Sequence, residues 1–417
     1  MSYFSRRRRL SAVALTSALA FGLAACGGDD SDGGGGGGGG GDSDDPIRIG
    51  TSLPLTGEFS QPGQAAEQGY QIWKNMVNEN GGLLGRDVEL VVKDDASNQN
   101  TIVADYNALI GQDKVDLLLG TFSSLLNLPA SAVAEKAKMV YVEPAGGSPE
   151  MFSRGFKFLF FSQQATADRQ GLVFADWVAN LPEDERPKTA AYPTLDDPFA
   201  APVVEGAREA LEAAGVETVY EETYAIDTKN FDTIVSAIKN ADPDLVFHGA
   251  QFEDGIGMTR AMLKAGLKPE MFFQTNAPSF GDQFSEGVGE ENTEGVFFAV
   301  SHHPDAETPG NAEFVQAYEE EYGGMPPEDA ADAYAAGQVL QAAVEAVGSI
   351  EDQQALADWL RENEVETILG PLSWDENGAP TGEFLIGQWQ GGEAQIVLPE
   401  DAATAEIKRD WTPGGAG

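Results

Sequence analysis

Short apolar runs alternate with amphipathic stretches from residue 47 to residue 390, and this pattern restricts the fold more than any other feature of the sequence. Asp116–Gly120 is a largely apolar run, as in a parallel strand covered on both faces. Gln64–Asn80 instead gathers its apolar residues on one helical face, and Gly81-Gly82 would end that helix. The alternation therefore predicts an α/β fold with parallel sheets.

The pattern also places the individual elements. We expect strands at about 47–53, 88–93, 116–120, 139–143, 189–193, 217–224, 244–249, 271–275, 295–301, 366–373 and 383–390. We expect helices at about 64–80, 98–112, 128–138, 168–180, 199–214, 231–240, 254–265, 311–322, 329–347 and 352–363. No repeat of 20–50 residues is evident, which argues against a solenoid. Two successive α/β blocks of comparable size predict two lobes.

The N-terminus predicts export. Arg6–Arg9 form a basic segment, and the apolar run that follows at 10–20 is too short for a bilayer-spanning helix of roughly 20 residues. Leu23–Cys26 then resembles the bacterial lipobox. We expect residues 1–25 to be a lipoprotein signal peptide and Cys26 to carry the lipid, at the outer face of the cell membrane. The alternative is an ordinary secretory signal with an incidental cysteine.

Composition limits the chemistry and the partners. Cys26 is the only cysteine, which excludes an intrachain disulfide and a cysteine nucleophile. Residues 27–45 contain only Gly, Asp and Ser, so they predict a flexible tether with a mean reach of roughly 25 Å. The formal charge of −43 excludes nucleic acid and anionic lipid surfaces as partners, because both require clustered Lys and Arg.

Several stretches in the right order resemble the leucine/isoleucine/valine-binding proteins that serve ABC importers. Ile47–Gly57 is similar to the family's first strand and its turn of small residues, and Ile368–Gly378 is the most specific match. Further similar stretches are Val77–Gly82, Leu84–Arg86, Lys93–Ala96 and Gly387–Trp389. The resemblance implies the fold of type I periplasmic binding proteins. In that fold two Rossmann-like lobes are joined by three crossover strands and hold the ligand between them.

The resemblance and the order of the elements together give expected boundaries. These are a signal peptide at 1–25, a lipidated cysteine and tether at 26–45, a first lobe at 46–163 and 302–371, a second lobe at 164–301 and 372–400, and a C-terminal tail at 401–417. The crossovers are expected near 162–165, 300–303 and 370–373.

Two loops after strands of the first lobe combine small residues with hydroxyls, which lets backbone N–H groups approach a carboxylate. The resemblance implies that they hold a ligand's carboxylate and part of its ammonium. The candidates are Ser123, Ser124, Ala145, Gly146 and Gly147. Family members often carry Thr where Gly147 stands, so one hydroxyl contact is missing here. The alternative is that both loops are tight turns without a ligand.

The second lobe departs further from the family. Phe199 is the expected aromatic ring over the ligand, and Gln251 stands where a second ring is expected. Asn276 stands where an acidic residue would meet the ligand's ammonium, and Pro62 replaces an expected Tyr.

The missing acidic residue leaves the ligand open, because an unpaired buried ammonium is costly. Either one of four nearby carboxylates takes over, or the ligand is not an ordinary α-amino acid. The four are Asp196, Asp197, Glu253 and Asp254.

Nothing in the sequence predicts catalysis. The histidines are His248, His302 and His303, and we find no nucleophile elbow, P-loop or zinc-protease motif. We expect no enzyme, no metal and no cofactor.

We expect an extracytoplasmic lipoprotein that captures a small polar ligand: an amino acid, a branched-chain amino acid, or a related amide or carboxylate. It would deliver this ligand to the membrane permease of an ABC importer, as a monomer that touches the membrane only through Cys26. A ligand-sensing receptor of the same fold is the alternative.

Overall fold

The computed structural model describes residues 45–414 of the chain. The signal peptide, Cys26 and residues 27–44 of the tether lie outside the described residues, and so do the predictions made for them.

The strands are short, as expected for strands between helices. They are β1 (Ile47–Leu53), β2 (Val88–Asp94), β3 (Leu117–Leu119), β4 (Tyr141–Glu143), β5 (Leu159–Phe161), β6 (Thr189–Leu195), β7 (Glu217–Tyr224), β8 (Leu245–His248), β9 (Met271–Gln274), β10 (Phe297–Val300), β11 (Val365–Thr367), β12 (Gly370–Leu372), β13 (Leu385–Gln390) and β14 (Glu393–Leu398).

The helices connect these strands. They are α1 (Ser60–Glu79), α2 (Gln99–Ala108), α3 (Ser124–Ala137), α4 (Pro149–Ser153), α5 (Leu172–Asn180), α6 (Ala200–Ala213), α7 (Asp232–Ala241), α8 (Phe252–Ala265), α9 (Asp282–Val288), α10 (Asn311–Tyr322), α11 (Glu328–Val347) and α12 (Gln353–Glu362). Within residues 45–414, no helix combines the length and the apolar character that crossing a bilayer requires.

Most strands belong to two separate sheets. The first sheet is fully parallel, in the order β2-β1-β3-β4-β5. The second has the order β14-β13-β10-β9-β8-β6-β7, in which β6 to β10 run parallel and β13 and β14 pair antiparallel at one edge. The central strands are buried at every residue because helices cover both faces. The predicted α/β fold with two sheets is confirmed.

Helices complete each sheet into a three-layer lobe. In the first lobe, one face of the sheet packs against α1, α10, α11 and α12, and the other against α2, α3 and α4. In the second lobe, one face packs against α5 and α6, and the other against α7, α8 and α9. Each lobe therefore has its own apolar cores.

Helices α1 and α11 approach each other closely at two glycines. A Cβ atom on Gly69 would lie 2.0 Å from the carbonyl oxygen of Ala330, and one on Gly337 would lie 2.3 Å from Trp73 Cδ2. Any larger residue at either glycine would force the helices apart. This contact fixes the first turn of α11, which borders the cavity described below.

The chain passes between the lobes through three segments: 162–166, 301–310 and 373–384. Gln164 ties them together. Its Nε2 donates to the carbonyl oxygen of Ser301 (2.7 Å) in the second segment and to that of Leu369 (3.2 Å) in the turn between β11 and β12. Its own carbonyl accepts from the N–H of Gly382 (2.7 Å). The three segments therefore form one hydrogen-bonded hinge.

Several details differ from the sequence expectation. The strand expected at 366–373 is a pair of strands, β11 and β12, because the chain turns at Ile368-Leu369 and Thr367 pairs with Gly370. Residues beyond 400 pack on the second lobe: Trp411 is 3 % exposed and its ring packs at a tilt against that of Phe272, with ring centroids 4.9 Å apart. Four short elements were not anticipated: helices α4 and α9 and strands β5 and β14.

Candidate functional site

A cavity lies between the lobes, beyond the carboxyl ends of the parallel strands, where ligands of open α/β sheets bind. The empty space between its walls, including the part open to solvent, is about 500 Å³. The residues that line it are Phe122, Ser123, Ala145, Gly146, Gly147, Phe161, Gln163, Ala167, Gln170, Phe199, Gln251, Asn276, Ala299, Glu328, Asp329, Asp332 and Phe384. Seven of the eight ligand-binding candidates named from the sequence are among them.

The eighth candidate, Ser124, does not line the cavity. Its Oγ accepts a hydrogen bond from the N–H of Ser148 (3.1 Å), so it joins the two loops of the first lobe. The neighbouring Ser123 does line the cavity, and its Oγ has no hydrogen-bond partner although the residue is only 2 % exposed.

A buried polar network supports the same two loops from below. Asn127 Nδ2 donates to the carbonyl oxygen of Thr121 (2.7 Å) and to Glu143 Oε2 (3.1 Å). Glu143 Oε2 also accepts from the N–H of Ala145 (3.0 Å). Burial raises the pKa of Glu143 well above its ordinary value. Because these groups fix both loops, the cavity wall in the first lobe is preorganised.

Gly147 has a steric reason to be glycine. A Cβ atom there would lie 3.0 Å from the backbone nitrogen of Ala167 and 3.1 Å from Phe161 Cε1. The carbonyl of Gly147 also accepts from that Ala167 N–H (2.6 Å). The hydroxyl residue common at this position in the family would not fit here without a shift of the 167–169 segment.

In the second lobe, Phe199 and Gln251 reach the cavity from neighbouring loops. Phe199 precedes α6, whose first turn is capped by Asp197: Oδ1 accepts from the N–H groups of Phe199 (2.8 Å) and Ala200 (2.9 Å). Gln251 Nε2 lies 3.4 Å from Asp197 Oδ2, and its Oε1 has no partner. Burial raises the pKa of Asp197.

Asn276 reaches the cavity from the end of β9. Its backbone is in an unusual conformation, with φ of 52° and ψ of −67°, and its Oδ1 has no partner. A non-glycine residue with positive φ stores strain, and such residues concentrate at functional sites.

The carboxylates proposed as substitutes for the family's acidic residue do not line the cavity. Asp197 caps α6, as described above. Asp254 accepts from the N–H of Gln251 (3.0 Å) and from Tyr224 Oη (2.5 Å). Asp196 and Glu253 are exposed. Of the two alternatives left open by the sequence, the structure therefore gives no support to the one in which one of these four carboxylates takes over.

Three other acidic residues do line the cavity, and the sequence reasoning missed them. Glu328, Asp329 and Asp332 lie in the first two turns of α11. Asp332 accepts hydrogen bonds from Ser301 Oγ and Gln163 Nε2. Burial raises the pKa values of all three, and those of Asp329 and Asp332 rise well above the ordinary range, with mutual repulsion adding to the effect.

Four phenyl rings form the apolar part of the wall. Phe122 and Phe161 belong to the first lobe, Phe199 to the second, and Phe384 to the third connecting segment. Sequence reasoning identified only Phe199. These rings suit a small ligand with an apolar body.

The histidines have structural roles. His248 is fully buried; its Nδ1 lies 2.9 Å from Gln274 Nε2 and its Nε2 2.7 Å from Tyr224 Oη, and burial lowers its pKa to about 3. His302 Nε2 lies 2.7 Å from Asn311 Oδ1. Among residues 45–414, no group of three or more His, Cys, Asp or Glu is arranged to hold a metal ion.

The structure has two α/β lobes, a polar cavity between them and a hinge of three segments. This architecture is typical of proteins that enclose a small solute between two lobes. The chain belongs to the periplasmic binding protein family, whose model matches residues 46–394. This is a family of extracytoplasmic, non-enzymatic solute-binding proteins. The resemblance seen in the sequence is thereby confirmed.

Individual relatives are distant but match along most of their length. An amino acid binding protein of Pseudomonas aeruginosa is 26 % identical over 355 residues, which are 85 % of this chain and 92 % of that protein. A leucine-binding protein of Thermotoga maritima has a TM-score of 0.76 at 23 % identity, covering 85 % of this chain and 99 % of its own. A solute-binding protein of R. palustris in complex with benzoate has a TM-score of 0.76 at 20 % identity, covering 88 % and 99 %.

Proposed function

We propose that this protein captures a small amino acid or related carboxylate in the cavity between its lobes and delivers it to an ABC importer. Membership in the solute-binding family supports the capture step. The relatives' ligands, an amino acid for one and benzoate for another, share a carboxylate beside an apolar body.

The single observation that carries this proposal is a set of buried polar atoms without partners, contributed by both lobes to one cavity. Ser123 Oγ comes from the first lobe, and Gln251 Oε1 and Asn276 Oδ1 come from the second. Buried polar groups are nearly always hydrogen-bonded, so orphaned ones that face a cavity indicate a ligand. Only a ligand that touches both lobes would satisfy all three atoms.

The first-lobe loops suit the ligand's carboxylate. Among the described residues, the backbone N–H groups of Gly146 and Gly147 donate no hydrogen bond, and Ser123 Oγ is free beside them. Helix α3 begins directly after Ser123, so its positive end lies at the same wall. Donors gathered in this way stabilise an anionic group.

We further propose that residues 1–25 are removed as a signal peptide and that a lipid on Cys26 holds the protein at the outer face of the cell membrane. The basic segment, the short apolar run and the lipobox-like Leu23–Cys26 support this. The glycine-rich tether would let the two lobes reach a permease. The expected boundaries of the lobes, 46–163 with 302–371 and 164–301 with 372–400, belong to the same proposal.

The test is a thermal-shift screen of the purified protein against L-amino acids, their amides and their deaminated carboxylates. A ligand at a hundred times its Kd stabilises the folded state by about 2.7 kcal/mol, which raises the melting temperature by several degrees. Small-angle scattering with the best compound should then show a smaller radius of gyration, because a ligand that bridges the lobes favours the closed state. If no compound shifts the melting temperature, the proposed ligand class is wrong.

A further inference from the structure

The carboxylates of α11 form a separate wall of the cavity. Asp329 and Asp332 are three residues apart on the helix, so they lie on one face of it. Both are buried, with exposed fractions of 4 % and 1 %. Asp332 is hydrogen-bonded through both oxygens, and Glu328 Oε1 accepts from the N–H of Ser301 (2.5 Å). Asp329 Oδ2, in contrast, has no partner.

The rest of the cavity does not neutralise this wall. Among the described residues that line it there is no Lys, Arg or His. Independently of the acidic cluster, Ser123 Oγ is buried and unpartnered in the same cavity, which indicates that the cavity holds a ligand. Gln251 and Asn276 add unpartnered oxygens. The second lobe and α11 therefore offer hydrogen-bond acceptors to whatever is bound, and a cationic ligand would favour the ionised forms of the α11 carboxyl groups.

We propose that the ligand carries a positively charged nitrogen, an ammonium or an amidinium, that donates to the Asp329 carboxylate. Asp332 and Glu328 keep their own hydrogen bonds, and a cation beside them would favour their ionised forms. This inference rests on the proposed function and narrows it, because a plain carboxylate such as benzoate would leave Asp329 unpaired. A zwitterion fits both walls, with its carboxylate at the first-lobe loops and its nitrogen at α11.

The position of Asp329 also connects the ligand to the hinge. Ser301, in the second connecting segment, donates through its N–H to Glu328 and through its Oγ to Asp332. Its carbonyl oxygen accepts from Gln164 (2.7 Å). A cation bound at α11 would therefore interact with carboxyl groups that are themselves hydrogen-bonded to Ser301 of the hinge.

The test compares sets of three compounds that share one side chain: an L-amino acid, its decarboxylated amine and its deaminated acid. Suitable sets derive from leucine, phenylalanine and arginine. Binding is measured by thermal shift and calorimetry on wild type, on Asp329→Asn and on Asp95→Asn. Asp95 is the matched control, because it is a buried carboxylate with an unpartnered oxygen that does not line the cavity.

Wild type should bind a nitrogen-bearing member of a set at least about tenfold more tightly than the deaminated acid. Asp329→Asn should weaken that binding by about tenfold to a hundredfold, whereas Asp95→Asn should leave it unchanged. Without ligand, Asp329→Asn should melt at the same temperature as wild type or higher, because it removes a buried unpaired carboxylate. A purely structural role for Asp329 would instead lower the melting temperature.

The outcomes separate this inference from the function on which it rests. If deaminated acids bind as tightly as the amino acids, or if Asp329→Asn binds the nitrogen-bearing compounds as well as wild type does, the inference is overturned and the proposed function stands. If no compound of any set binds wild type, both fall.

Discussion

Replacing Gly69 by Ala tests whether the contact between α1 and α11 positions the acidic wall of the cavity, which Glu328, Asp329 and Asp332 of α11 form. The added Cβ would lie 2.0 Å from the carbonyl oxygen of Ala330, whereas real Cβ contacts stay beyond 3.0 Å. The first turn of α11 must therefore move by about 1 Å, and Asp329 with it. Overpacking costs about 1–3 kcal/mol, and we expect the upper part of that range because the obstacle is backbone.

Gly111→Ala is the matched control, since a Cβ there meets nothing within 4 Å. It should stabilise the protein by about 0.4–1 kcal/mol. Equilibrium urea unfolding should therefore separate the two variants by about 2–3 kcal/mol after the helix-propensity gain of Gly69→Ala is included. Calorimetry should show weaker ligand binding, by about tenfold, for Gly69→Ala alone, because a site must be held to within about 0.5 Å. Equal stability and equal affinity of the two variants would refute the reasoning.

Three further predictions follow. Cys26→Ser should move the protein from the membrane fraction to the soluble fraction, since acyl chains supply the anchor; unchanged membrane retention on immunoblots would contradict the lipid anchor. Asn276→Asp should keep or improve calorimetric affinity for a ligand with a charged nitrogen and weaken that for a plain carboxylate by about tenfold; a loss with the nitrogen-bearing ligand would contradict it. Burial raises the pKa of Asp95 to about 7, above an unfolded value of about 3.9, so wild type loses stability as pH rises between these values. Asp95→Asn should therefore be stabilised relative to wild type more at pH 8 than at pH 5 in urea unfolding, and a pH-independent difference would exclude this titration.

The sequence predicted most of the fold because hydrophobic periodicity reports directly on burial. Strand β7 was expected at 217–224 and lies at Glu217–Tyr224. The turn within 366–373 was missed, because two three-residue strands have the same composition as one longer strand. Helix starts were less accurate: α3 begins at Ser124 rather than near residue 128. Its first turn borders the cavity loops, and residues at a binding site are not selected for packing alone. The hydrophobic pattern therefore does not mark where this helix begins.

The cavity loops were predicted from their small residues and from the resemblance to a family, and seven of the eight candidates do line one cavity. The steric environment of each residue could not be predicted. Gly147 packs closely against Phe161, at the end of β5, and against Ala167, which follows the first connecting segment. Ser124 bonds to the neighbouring loop instead of lining the cavity. Such pairings depend on three-dimensional packing and leave no periodic pattern in the sequence.

The acidic wall was missed for a different reason. In a chain with 68 acidic residues, two aspartates near the start of a helix suggest favourable interactions with the helix dipole or a solvated surface. A signal was nevertheless present: the residues around Asp329 and Asp332 in α11 are mainly Ala, and they are buried on every side of the helix. A helix that is apolar all round is buried, and an aspartate inside it requires a partner. Asp332 has its partners within the protein, whereas Asp329 has an oxygen without one. In a purely structural helix, a buried carboxylate without a partner would be costly. Because α11 borders the cavity, a cationic ligand would supply the partner that Asp329 lacks within the protein.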